Sequence, residues 1–206
     1  MKVVKRVLRV VGLLLLAAWA FRRPMLDWGA TRDEAGAELP GDGLLPGADI
    51  VATRAISIDV PPSLVWPWLV QIGTGRAGAY SYDWLDRLAR LDMVSSRQIL
   101  AEFQDLEVGD VIPVDNNGTG LRVREMETGR FLSTLTDDGS WAWTWVLDEA
   151  GTGTRLVSRT RMSTLTQSAI GRWATYWLLI PASWVMERKM LLGIKERAEG
   201  HGRVGH

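Results

Sequence analysis

ISIDVPPSLVWPWLVQIGTGRAGAYSYDW, residues 56–84, contains in order a buried strand, a Pro-Pro stop, a short tryptophan-rich helix, a glycine turn and an aromatic-acid cluster. The strand begins a little earlier. From Asp49 to Val60 the even positions are Ile50, Ala52, Arg54, Ile56, Ile58 and Val60, whereas Thr53, Ser57 and Asp59 fall on the other side. Alternation with period two predicts a strand with one buried face. Arg54 stands on the apolar side. It either snorkels out at the strand end or presents a cation to a cavity. Pro61 and Pro62 stop the strand and preset the first turn of a helix over 63–72. Pro67 kinks that helix and Gly73 ends it.

Gly73-Thr74-Gly75-Arg76-Ala77-Gly78 matches the G-x-G-x-x-G spacing of a dinucleotide loop. That motif needs a strand before it, a helix after it and an acid at the end of the next strand. Here a proline-started helix precedes it, and residues 90–107 are polar and helix-like, so nucleotide binding is rejected. Tyr80, Tyr82, Asp83 and Asp86 form the densest group of proton-handling side chains. Asp83 also suits the start of a helix over 82–91. A third helix is predicted over 97–103, capped by Ser95 or Ser96.

From Val108 the pattern turns to strands over 110–114, 121–126, 131–136, 141–147 and 154–162. DNNGTG, ETGR, DDGS and DEAGTG separate them, and such turns join antiparallel neighbours. Trp141, Trp143, Trp145 and Leu147 share one face of their strand. Arg155, Arg159 and Arg161 share one face of the next, read as a solvated convex surface. Ser163 or Thr164 starts a final helix to about Ala198, apolar on all sides, with Trp173, Trp177 and Trp184 on one stripe. The eleven tryptophans thus cluster by position.

Composition bounds the function. At 206 residues, one domain with an extension is expected. Net charge is zero, so no global field points to nucleic acid. The chain has no cysteine, and its only histidines are His201 and His206, so no disulfide, thiolate or Ser-His pair is available in the folded part. No metal cluster and no cofactor are expected.

Residues 1–23 carry six basic groups and no acid around the apolar run VVGLLLLAAWAF, residues 10–21. Twelve residues are too few to span a bilayer alone, but residues 2–21 as one helix reach about 30 Å. Three readings stand: a membrane anchor over residues 2–21, a cleaved signal peptide, or a helix packed on its own domain. The basic residues favour an N-terminus inside and a domain outside the cytoplasm. Residues 24–48, rich in Gly and Pro, read as a linker, 49–199 as the domain, and 200–206 as a disordered tail.

The β-Pro-Pro-x-x-VWPW segment, RAGAYSYDWL, QILAEFQDLEVGD and MERKMLLGIKERAE together resemble the START-like helix-grip superfamily (SRPBCC), in its polyketide cyclase/dehydrase and lipid-transport-like branch. The resemblance covers about residues 44–199. It implies an α+β fold in which a curved antiparallel sheet wraps a long C-terminal helix around an apolar cavity, with short helices after the first strand. It also implies a lipid-like or polyketide-like ligand. Trp66, Trp68, Trp141, Trp143, Trp173 and Trp177 are the candidate walls, and Arg54, Tyr80 and Tyr82 the orienting polar groups. Two alternatives stay open: a cyclase or dehydratase with Asp83 as base and Tyr80 or Tyr82 as acid, and an interaction module built on the tryptophan-rich last helix. Ligand identity and oligomeric state are not specified by these residues.

Overall fold

The structure is a computed structural model that describes residues 6, 22–82, 93–116, 119–163, 168, 171 and 175–204. Its sheet has six antiparallel strands in the order β1 (Ile50–Ile58), β6 (Gly153–Met162), β5 (Trp141–Ala150), β4 (Phe131–Thr136), β3 (Gly120–Glu127) and β2 (Val111–Pro113). The turn residues produce the meander. Gly129, Gly139 and Gly151 take positive φ between consecutive strands, and Asp138 ties its turn by accepting from Ser140 and Thr136. A register shift between Val123 and Glu125 bends the sheet edge.

Helix α2 (Pro62–Val70) follows β1 and buries Val65, Trp66, Trp68 and Leu69 against the sheet. The chain closes with a π-helical turn (Thr175–Leu179) and the long helix α3 (Ile180–Val204). Pro181 has no N–H to complete an α-helical bond, and the wider turn falls directly before it. The buried stripe of α3 is Ile180, Glu187, Met190, Leu191, Ile194 and Ala198, packed on α2 and the sheet. The helix reaches Val204, beyond the tail boundary read from the sequence, and His201 lies edge-on to Trp68 with ring centroids 6.2 Å apart. The third helix expected over 97–103 shrinks to a 3-10 turn, Ala101–Phe103, because Ser96 accepts from Gln98 N in a local turn instead of capping a longer helix. The helix expected over 82–91 lies outside the described residues but for Tyr82.

Both faces of the sheet are covered, which the alternation did not indicate. The row Arg54–Ser158–Trp145–Leu132 faces the helices, and the adjacent row Thr53–Arg159–Thr144–Ser133 faces away. Thr53, Arg159, Thr144 and Ser133 are nevertheless buried. Residues 24–48 lie over them as a strap, not as a free linker. The strap carries helix α1 (Arg32–Gly36), whose Thr31 and Glu34 form a capping box. Ala30 and Leu39 pack on Ala55, Val146 and Val157. Gly41 (φ 78°) crosses so close that a Cβ there would meet Ser133 Oγ at 2.5 Å.

The arginine stripe of β6 is therefore corrected from a solvated surface to the strap's fastening. Arg159 donates to Thr53 Oγ1, to Asp42 Oδ2 at 2.7 Å, and to the carbonyls of Glu34, Ala35 and Ala37. Arg155 donates to Glu34 at 2.7 Å, and Arg161 to Leu45 O. The Arg155 guanidinium holds the Glu34 carboxyl down at about 2. Arginine suits this work because its planar fork serves several carbonyls and a carboxylate at once.

The membrane anchor over residues 2–21, and the membrane location built on it, are also corrected. Among the described residues no helix is long and apolar enough to cross a membrane. Apart from Arg6, residues 1–21 lie outside the described residues.

Candidate ligand-binding cavity

Between the sheet and α3 lies a cavity of about 270 Å³ whose surface is apolar. Trp141 and Trp143 on β5 and Thr160 and Met162 on β6 form one wall. Leu179 from the π turn, with Ser183, Met186, Glu187 and Met190 from α3, forms the other, and Ala79 and Ser81 close one side. Period-two alternation places the tryptophans on one face. Trp141 and Trp143 stack at 5.4 Å and 26°, and Trp143 meets Trp145 at 4.5 Å. The column of rings makes a stiff wall. Opposite it stand methionines, which adapt to irregular shapes.

Behind the cavity lies a buried polar chain. Trp143 Nε1 donates to Ser158 Oγ at 2.8 Å, and Ser158 Oγ donates to Glu187 Oε1 at 2.7 Å. Arg54 pairs with the other carboxylate oxygen of Glu187, and also donates to Met25 O at 3.0 Å and Ser183 Oγ at 3.2 Å. Burial pushes the Glu187 carboxyl above the ordinary range, while Arg54 and hydrogen bonds from Ser158 and Thr160 pull it back. The chain links β1, β5, β6, α3 and the start of the strap, so it fixes where α3 sits on the sheet.

The structure distributes the predicted residues as follows. Trp141 and Trp143 line the cavity. Arg54 is fully buried one layer behind it, so both sequence readings of Arg54 give way to a buried ion pair. Trp66 and Trp68 belong to the core under α2. Trp177 is half-buried on the π turn, and Tyr82 is half-buried; neither is among the described lining residues. Asp83 and Trp173 lie outside the described residues.

Tyr80 is buried with φ 53°, in the left-handed region that costs a tyrosine of the order of 1 kcal/mol or more. Its hydroxyl accepts from Gln71 Nε2 at 2.7 Å, and Gln71 Oε1 accepts from Leu100 N. Burial raises its pKa well above the usual tyrosine value. Tyr80 anchors its loop through Gln71 and lies against the Arg197 guanidinium. Gly193 permits the close packing, since a Cβ there would collide with the Tyr80 carbonyl oxygen.

The G-x-G-x-x-G loop closes on itself. Gly73 and Gly78 exchange backbone bonds, Thr74 N donates to Pro113 O, Arg76 N to Gly73 O and Ala77 N to Gln71 O. These N–H groups are spent inside the protein and are not free to cradle a phosphate.

Glu187 is the site residue that the sequence reading passed over. Its signal was a lone acid in the apolar stripe of α3, matched by the lone Arg54 in the apolar face of β1. Charges are seldom fully buried unless paired.

The meander, the short helix after β1 and the long C-terminal helix laid on the sheet define an α+β helix-grip fold. No protein-family model matches the chain, and no curated protein does. Among solved structures it is similar to a polyketide-cyclase-like protein from Corynebacterium glutamicum, at 17% identity over 76% of this chain and 95% of that one, with a TM-score of 0.49. The KanY protein is similar at 15% identity over 74% and 99%, with a TM-score of 0.48. An AHSA1-like protein from Aeromonas hydrophila is similar at 17% identity over 74% and 94%, with a TM-score of 0.41.

Proposed function

We propose that this protein binds a small apolar molecule in the cavity between the Trp141–Trp143 wall and helix α3. The observation that carries this reading is an apolar cavity whose one charged neighbour among the described residues, Glu187, is already engaged by Arg54 and Ser158. Affinity there comes from removing apolar surface from water. A cavity of roughly 150 Å³ takes benzene, so this one fits about ten carbon atoms, a medium chain or a fused ring pair. A two-tailed lipid exceeds it.

The test is a titration of the full chain with 1-decanol, followed by tryptophan fluorescence. The expected result is a saturable change in the wild type, weakened at least about tenfold in Ala79→Leu, which fills part of the cavity. No saturable change in the wild type, or equal affinity in the variant, would sink the reading.

A further inference from the structure

We propose that the ligand is an amphipathic carboxylic acid, its chain in the apolar cavity and its carboxylate in an adjoining cationic cleft. The proposal rests on the apolar-cavity reading and adds the head group. The cleft, of about 570 Å³, lies between the loop of Tyr80 and Ser81, the segment of Ser95 and Arg97, and the last turns of α3. Ser81 lines both the cleft and the cavity, so the two adjoin at one side chain. Its hydroxyl donates to Met186 O at 3.2 Å, which pins this shared wall to α3. Met186 lines the cavity and Lys189 the cleft, separated by about 5 Å of helix rise. A chain held against Met186 therefore has its end within reach of the cleft.

Among the described lining residues the charges of the cleft are one-sided, with Arg97, Lys189 and Arg197 against Glu196. Arg197 is held in place, with Nε donating to Ser96 O at 2.7 Å and its guanidinium 4.7 Å from the Tyr80 ring. Arg97 and Lys189 make no ion pair or hydrogen bond among the described residues. They contrast with Arg54, Arg122, Arg130, Arg155, Arg159 and Arg161, each paired with an acid. Two unpaired cations on a concave surface that adjoins an apolar cavity match a molecule with one anionic end.

The test compares decanoate with 1-decanol by calorimetry, on the full chain at low salt. The two share a chain and differ in the head. Decanoate is expected to bind about tenfold tighter, since two partly exposed charge contacts are of that order. In Arg97→Gln/Lys189→Gln that preference is expected to vanish while 1-decanol affinity stays unchanged, which also shows that the cavity is intact. Equal affinities in the wild type, or a preference that survives the double substitution, would overturn the proposal. If neither compound binds, the apolar-cavity reading falls and takes this one with it.

Discussion

Arg54→Met is expected to destabilise the protein by about 3–5 kcal/mol, because it leaves Glu187 buried opposite no charge. The loss should depend on pH. A carboxyl whose folded pKa is raised above its unfolded value binds more protons when folded. Stability therefore falls as pH rises above the ordinary value of 4.5. Removing the Arg54 cation removes the main influence that opposes this rise, so the deficit should be smallest at acid pH and grow toward neutrality. Arg54→Met/Glu187→Leu should recover most of the loss, since a well-packed apolar pair replaces a buried ion pair at little cost. Urea denaturation of the three proteins from acid to neutral pH measures this. A single variant within 1 kcal/mol of wild type, or a double variant no better than the single, would show that the pair does not hold α3 on the sheet.

Arg159→Leu is the second large effect. The wild-type guanidinium is nearly inaccessible and serves Thr53, Asp42 and three strap carbonyls. Its removal leaves those carbonyls without this donor and Asp42 with only Leu39 N and the longer Arg161 contact, at a cost of about 2–4 kcal/mol. The loss should be local first. The strap is held on the outer face largely by such contacts, so residues 24–48 should become protease-sensitive under conditions where the sheet and α3 remain folded. Arg159→Lys keeps the charge but not the fork and should fall between the two. Limited proteolysis with mass mapping reads the site of cleavage. Cleavage no faster than in wild type would mean that the strap's apolar contacts through Leu39 and Ala30 suffice.

The two variants also indicate what the sequence made legible. Local signals carried through well. The tryptophan alternation in β5, the glycine and aspartate turns, and the Pro-Pro start of α2 each depend on residues a few positions apart, and each formed where expected. The dinucleotide motif was rightly set aside, because the proline-started helix before it was visible. Long-range pairing was not visible. Arg54 and Glu187 lie 133 positions apart, and Arg159 lies 117 from Asp42. No period links such positions. The strap in particular lacks a strong apolar pattern, since it attaches through carbonyls and two acids, so its composition reads as a linker. Once it covers the sheet, the polar face of β6 becomes interior. The arginines there change meaning without any change in their own alternation.

The cavity was half legible. Trp141 and Trp143 followed from alternation. Trp66 and Trp68 have the same composition but point into the packing under α2, because a helix face and a strand face select different neighbours. The methionines of α3 were overshadowed by the tryptophan stripe, although Met186 and Met190 are the residues that meet the ring wall.

The central claim is that the space between that wall and α3 is where a ligand sits. The most direct measurement is the anomalous diffraction of crystals of the full chain grown with 10-bromodecan-1-ol. The account predicts a bromine peak inside the cavity, between Trp143 and Met186. Bromine found only on the outer surface, with the cavity empty at saturating ligand, would contradict it.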